Sequence, residues 1–146
     1  MQFYTVQRIE NQLNRIQRNC NERLDTSWGE LLRTIPAMYP QDLIITPSLL
    51  HGDLWAGNVG CADDKPCVFD CASFYGHSEF DLALAHMFGG FSDKFFRAYH
   101  ELVPKAAGFE KRLKFYKLFH YLNHWNYNSS GSSYPWVGIP RECISI

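Results

Sequence analysis

The stretch His51-Gly52-Asp53-Leu54-Trp55-Ala56-Gly57-Asn58 decides how this chain is read. The apolar pair Leu49-Leu50 leads into it, and a second apolar run, Cys67-Val68-Phe69, follows and ends in Asp70. The stretch thus sets a carboxylate (Asp53), an amide (Asn58) and a second carboxylate (Asp70) around one tight turn. Gly57 and Gly60 allow backbone geometry that other residues resist. Asp63-Asp64-Lys65-Pro66 is a polar turn between short strands expected at roughly 58–61 and 67–70. On its own, His-Gly-Asp is a common turn sequence, and Asp-x-x-x-x-Asn arises often by chance. The arrival of Asp70 after an apolar strand raises the stretch above a structural turn.

The order His-x-Asp-Leu, then Asn, then a short hairpin, then Asp resembles that of protein-kinase-type phosphotransferases. The chemistry explains the spacing. One carboxylate must sit near the hydroxyl that attacks the γ-phosphate. An amide oxygen and a second carboxylate must face the metal ions that bridge the phosphates. A tight loop between short strands can point all three into one cleft.

Outward from the loop, helices are expected. Ile9, Leu13, Ile16, Cys20 and Leu24 recur at steps of three or four, which predicts a helix over about 3–24 with one apolar stripe. Asp25-Thr26-Ser27 supplies N-cap candidates for a second helix, lined by Trp28, Leu31, Leu32 and Ile35 and ended by Pro36 and Pro40. Residues 41–48 read as a connector, with Leu43-Ile44-Ile45 covering the core. Beyond Asp70, a loop runs over 71–77. Ser78 with Asp81 fits a capping box and opens a helix that Gly89-Gly90 ends. Ser92 caps a further helix, which carries Phe95, Phe96, Tyr99 and His100 and is broken by Pro104. A long aromatic helix follows, from about Phe109 to Asn126, and its aromatic face is read as core. The tail from 129 to 146 reads as loop. The fold class is α+β, mostly α.

Composition narrows the function classes. The chain has 146 residues, enough for one domain with a core, and 46% hydrophobic and 16% aromatic residues exclude disorder. A net charge of −1 leaves no basic excess, so no nucleic-acid partner is expected. No apolar run approaches the roughly 20 residues that span a bilayer, so no membrane role is expected. No signal core follows the first residues. Cys20, Cys61, Cys67, Cys71 and Cys143 are odd in number and form no Cys-x-x-Cys pair. They read as reduced cytoplasmic thiols. The histidines form no zinc-type cluster with cysteine.

The run Asp70-Cys71-Ala72-Ser73-Phe74-Tyr75-Gly76-His77-Ser78-Glu79, with His51 to Trp55 before it, closely resembles the fructosamine kinase (ketosamine-3-kinase) family. Met87-Phe88-Gly89-Gly90-Phe91, Ala98-Tyr99-His100, Pro104-Lys105-Ala106 and Tyr121-Leu122-Asn123-His124-Trp125-Asn126 extend the match. The wider aminoglycoside phosphotransferase-like superfamily shares the His-Gly-Asp…Asn…Asp skeleton without the Trp55 and Ser73-to-His77 details. The resemblance implies transfer of the γ-phosphate of ATP, with Mg2+, to the 3-hydroxyl of a ketosamine. That substrate is a small sugar-amine adduct or a glycated protein, and the reaction is a step of protein deglycation. Asp53 matches the catalytic carboxylate, and Asn58 and Asp70 match the metal- and cofactor-binding positions. His51, Trp55, Tyr75 and His77 are placed at the substrate side.

The chain departs from the family pattern in two ways. Cys71 stands where the family commonly has Pro after the metal-binding Asp. No glycine-rich loop or strand lysine precedes His51. The expected organisation is therefore the C-terminal lobe of a protein-kinase-like fold over 1–128, with a loop-like tail over 129–146 and the N-terminal ATP-binding lobe absent. In that lobe 1–48 form leading helices and connector, 49–77 the catalytic and metal-binding loops on a small β-hairpin, and 78–128 the helical core. Such a truncated chain is expected to be inactive alone and to self-associate through its exposed face. The alternatives are a non-catalytic remnant acting as a binding or regulatory module, and a related small-molecule kinase lobe acting on choline, an aminoglycoside or a homoserine.

Overall fold

The computed structural model describes residues 3–17 and 22–128, the side chains of 17, 22–26 and 128 excepted. It divides into two compact units: Met1–Pro40 with Lys114–Ile146, and Gln41–Leu113. The fold is α+β and mostly helical, as the pattern predicts.

In the first unit, a π-helical segment, Phe3–Glu10, runs into α1 (Asn11–Gln17), and α2 spans Glu22–Met38. Ile9, Leu13 and Ile16 are buried on one face, as the stripe predicts. Cys20 and the side chain of Leu24 lie outside the described residues. Helix α2 corrects two expectations. It runs through 25–27 instead of starting there, and it continues past Pro36 to Met38. Proline removes one hydrogen bond from a helix. Here that loss falls in the last turn, where Leu31, Ile35 and Met38 bury the same face, and that burial holds the turn in place. Most of α5 (Phe109–Asn128) completes the unit. Phe115, Leu118, Phe119 and Leu122 are buried, so the aromatic face is core. The Tyr4 hydroxyl donates to the Tyr116 carbonyl at 3.1 Å. Burial, then the neighbouring Tyr116, push its phenol well above the usual range. Gln12 and Asn126 bond through their side-chain amides at 2.6 Å, and Tyr39 bonds Tyr116 at 3.0 Å.

The second unit holds two antiparallel strand pairs. Strands β2 (Val59–Ala62) and β3 (Lys65–Val68) form a hairpin with Val59 opposite Val68 and Ala62 opposite Lys65. Its turn is only Asp63-Asp64, both with left-handed backbone at φ 49° and 59°. A two-residue turn with φ positive at both positions matches the twist of the strands, and Asp tolerates that conformation. Lys65 and Pro66, expected in the turn, are instead in β3. The other pair joins β1 (Ser48–Leu50) to β4 (Phe74–Gly76), with Leu50 opposite Phe74. Strand β4 lies where the pattern predicts loop. Three residues are too few to show a period, and their partner is distant in sequence.

Helices α3 (Glu79–Phe88) and α4 (Asp93–Leu102) follow where predicted. Gly89, at φ 69°, ends α3, and Ser92 precedes α4 with extended backbone. The capping box at Ser78 is not formed. Ser78 is itself helical, its hydroxyl makes no cap bond, and the Asp81 carboxylate has other partners. Leu82 to Ala85 are buried on every side. Arg112, at the start of α5, is fully buried and grips Glu79 with two bonds, Nε to Oε2 at 2.8 Å and Nη2 to Oε1 at 2.7 Å. It also donates to the carbonyls of Ala106 and Ala107. A planar guanidinium suits such a paired grip. The connector corrects one further expectation: Ile44 does not cover the core and is 88% exposed.

Candidate active site

The loop between β1 and β2 gathers the chemistry. It contains a short 3₁₀ turn, Ala56–Asn58, which brings the Asn58 amide back over Asp53. The Asn58 Nδ2 donates to the Asp53 Oδ2 and to the Asp53 carbonyl, each at 3.0 Å. Asn58 is buried, 5% exposed, while Asp53 is half-buried. This arrangement fixes the carboxylate's direction. Both bonds use the Asn58 Nδ2 and neither uses its Oδ1.

His51 ties the loop to the hairpin. Its Nδ1 accepts the Asp53 backbone N–H at 3.3 Å, and its Nε2 lies 3.0 Å from the Phe69 carbonyl. A neutral imidazole with its hydrogen on Nε2 satisfies both contacts. Phe69 in turn donates its N–H to the Asn58 carbonyl at 3.1 Å. The residue after Phe69 is Asp70. It is exposed and has left-handed backbone at φ 55°. A non-glycine residue there is uncommon and marks a chain turned sharply by its neighbours. Asp53, Asn58 and Asp70 are thus joined by a short chain of bonds through His51 and Phe69. Asn58 Oδ1 and the Asp70 carboxylate are hard oxygen donors of the kind magnesium takes, alongside phosphate oxygens.

Glycines shape the same loop. Gly52 has φ 83°, and a Cβ on it would lie 2.1 Å from the Ala72 carbonyl oxygen. A Cβ on Gly57 would fall within 2.3 Å of the Trp55 ring. Trp55 is 40% exposed and meets Phe88 edge-on, with ring centres 6.0 Å apart. Its indole therefore forms a half-open apolar wall on the loop that carries Asp53.

The remaining predicted site residues lie elsewhere in the unit. Tyr75, on β4, is 74% exposed. His77 lines a separate cavity of about 230 Å³ with Leu43, Ile45, Glu79, His100 and Phe109. Burial lowers the His77 pKa, against Glu79, which raises it, and with Arg112, which lowers it further. Neither Asp53 nor Asp70 lines that cavity.

One residue was missed by the sequence reading. The Asp81 carboxylate accepts the backbone N–H of His51 at 2.8 Å and that of Gly52 at 2.9 Å. Its position in the first turn of α3 reads as a helix-start signal, and nothing local in the sequence points from it to residue 51.

This loop and hairpin on a helical body are those of a kinase-like fold. A profile for fructosamine kinase matches residues 1–135. The chain is 52% identical over 132 residues to ketosamine-3-kinase of Mus musculus, covering 90% of this chain and 42% of that protein. It is 37% identical over 132 residues to a chloroplastic protein-ribulosamine 3-kinase of Arabidopsis thaliana, covering 90% of this chain and 40% of the relative. A solved structure from Thermobifida fusca YX-ER1, provisionally assigned as a fructosamine-3-kinase, superposes with a TM-score of 0.77 at 31% identity. That match covers 89% of this chain and 46% of the other. The chain therefore belongs to the fructosamine kinase family. It spans about two fifths of the length of the curated relatives it matches.

Proposed function

We propose that this chain carries the proton-accepting and metal-binding side of an ATP-dependent ketosamine-3-kinase. The observation that carries the reading is the bonded set Asp53–Asn58, tied through His51 and Phe69 to the strand that ends in Asp70. Asp53 accepts the proton of the sugar 3-hydroxyl as its oxygen attacks the γ-phosphorus of ATP. The bond between that phosphorus and the bridging oxygen breaks, and ADP leaves. Asn58 and Asp70 would hold Mg2+ against the phosphates, where the ion neutralises charge that develops in the transfer. Trp55 offers an apolar wall for the sugar. His51 acts on the substrate through the shape of the loop, while Tyr75 on β4 and His77 in its separate cavity stand apart from Asp53 and are left without a substrate contact in this reading.

On this reading the segment 1–128 is the C-terminal lobe of the kinase. The substrate is a small ketosamine or a glycated protein, as the names of the relatives suggest. The exposed Val68, Phe69, Leu49 and Tyr75 support self-association. Among the described residues no helix is long and apolar enough to cross a membrane. We place the reaction in the cytoplasm, where Cys61, Cys67 and Cys71, free thiols here, stay reduced.

The test is Asp53→Asn in an active chain that contains this segment, assayed with ATP, Mg2+ and a small ketosamine. Loss of a positioned base lowers kcat by about 10²–10⁴-fold. Turnover at the wild-type rate would overturn the assignment of Asp53.

A further inference from the structure

The cavity that His77 lines has no part in the function proposed above. It holds about 230 Å³, where roughly 150 Å³ suffices for benzene. Leu43, Ile45, Leu82, Pro104 and Phe109 form its apolar walls, and Ser48, Ser78, Glu79, His77 and His100 bring polar side chains to it. Ile44 and Val103 also line it and are 88% and 41% exposed, so it reaches the surface between the connector and the end of α4.

The polar groups have partners, with one exception. Thr46, at the rim, is exposed to water. Ser48 Oγ donates to the Thr46 carbonyl at 3.4 Å, and Ser78 bonds the Tyr99 phenol. Glu79 is gripped by Arg112, which matches its charge. His77 Nε2 lies 3.7 Å from Glu79 Oε1, and burial lowers the His77 pKa, so its ring is neutral at neutral pH. His100 differs. Its Nδ1 lies 3.0 Å from the Val103 carbonyl, which can only accept, so Nδ1 carries the hydrogen. In the neutral ring Nε2 is then a bare acceptor. That nitrogen is buried and has no hydrogen-bond partner among the described residues. An acceptor left unpaired in the interior costs free energy that a bound donor recovers.

We propose that this cavity binds a small neutral ring carrying one O–H or N–H donor, of the phenol or indole class, with the donor bonded to His100 Nε2. Three features set that class. The walls are apolar, and the volume admits one ring or two fused rings. No charge in the lining is unmatched, so a charged ligand would lose its hydration without gaining a partner. The one polar atom without a partner is an acceptor, so the ligand supplies the donor. The site adjoins the strand pair that leads into the Asp53 loop, since Ser48 opens β1 and His77 follows β4. It shares no residue with that loop, and the inference stands whatever reaction the chain serves.

The test uses phenol and toluene, which have nearly the same shape. A cavity with apolar walls alone prefers toluene, because burying an unpaired hydroxyl costs free energy. Titrated into the ¹⁵N-labelled 146-residue chain, phenol is expected to bind about 3–10-fold more tightly than toluene, the worth of one hydrogen bond. It should move the His100 Nε2 resonance upfield, as accepting a hydrogen bond does. It should shift the amides of Ser78, Glu79 and Val103 and leave those of Asn58 and Val68 in place. Indole, whose N–H is its only donor, should do the same. His100→Phe keeps a ring in place without the acceptor and should reverse the order in favour of toluene. If that variant does not fold, Val103→Trp, at the exposed mouth, takes its place and should abolish phenol binding. Toluene binding the wild type as tightly as phenol overturns the proposal. So does saturation with phenol that leaves the Nε2 resonance unmoved. Absence of binding by all three probes would make the cavity a place for water only and overturns it too.

Discussion

The first turn of α3 and the loop around Asp53 each carry a pair of acidic groups, and the two regions treat them oppositely. In the helix turn, Glu79 is closed in by Arg112 and Asp81 by two backbone donors. In the loop and hairpin, Asp53 shares only an amide and Asp70 is exposed. The lesson concerns what a carboxylate needs in order to act. An acid whose oxygens are already taken by fixed partners is structure. An acid left with an open oxygen beside a fixed one can meet a substrate or a metal.

The comparison breaks most severely at Arg112. Arg112→Ala leaves Glu79 buried without its partner, and stability should fall by about 3–5 kcal/mol. Urea denaturation measures it. The double change Glu79→Gln with Arg112→Met should restore much of the loss, because no uncompensated charge remains. A loss below about 1 kcal/mol in the single variant would mean that the pair is in effect solvated and the contrast with the loop is false.

A smaller effect is expected at Gly52. Alanine there meets the Ala72 carbonyl and a backbone conformation that L-residues avoid. Gly52→Ala should destabilise by more than about 1 kcal/mol, and its damage should be local. Exchange at the His51 and Gly52 amides should rise more than at α3 amides. An equal rise everywhere would show that the loop and the helix turn open as one unit.

The smallest effect is at His77, which faces the closed pair. Its pKa is lowered by burial, so the folded state binds a proton less readily than the unfolded one. The stability it confers is present above the ordinary value of about 6.5 and is lost as pH falls through the folded value. His77→Gln should flatten the stability curve on the acid side of that value. A curve for His77→Gln that matches the wild type between neutral pH and pH 5 would remove His77 from the account.

The same contrast explains what could be read in advance. That Asp53, Asn58 and Asp70 share one loop and one hairpin was legible because short local spacing fixes it. Helices α3, α4 and α5 were legible from apolar period and from Gly89, Ser92 and Pro104. The start of α2 was misread because capping residues at 25–27 are also tolerated inside a helix. Pro36 was misread because the burial of Leu31, Ile35 and Met38 on one face outweighs the hydrogen bond the proline removes. Strand β4 and the partners of Asp81 were hidden for a common reason. Each is defined by a partner on the other side of the loop, Leu50 for Phe74 and the amides of residues 51 and 52 for Asp81. Sequence pattern reports what a segment prefers. It does not report which distant backbone group will claim a side chain.

The two strand pairs are nested. Leu50 opposite Phe74 closes one ring of chain, and inside it Val59 opposite Val68 closes a smaller one around the Asp63-Asp64 turn. Asp53, Asn58 and Asp70 all lie on the outer ring, outside the inner one. Closing a ring of chain carries an entropic penalty that grows only with the logarithm of its length. Two nested closures bring residues 53 and 70 together more cheaply than fixing the whole intervening chain would. That freedom is surrendered when the protein folds, before any substrate arrives. On the proposed function, a substrate hydroxyl would meet Asp53 and Asp70 already ordered, which is the advantage that pre-organisation gives a transfer reaction.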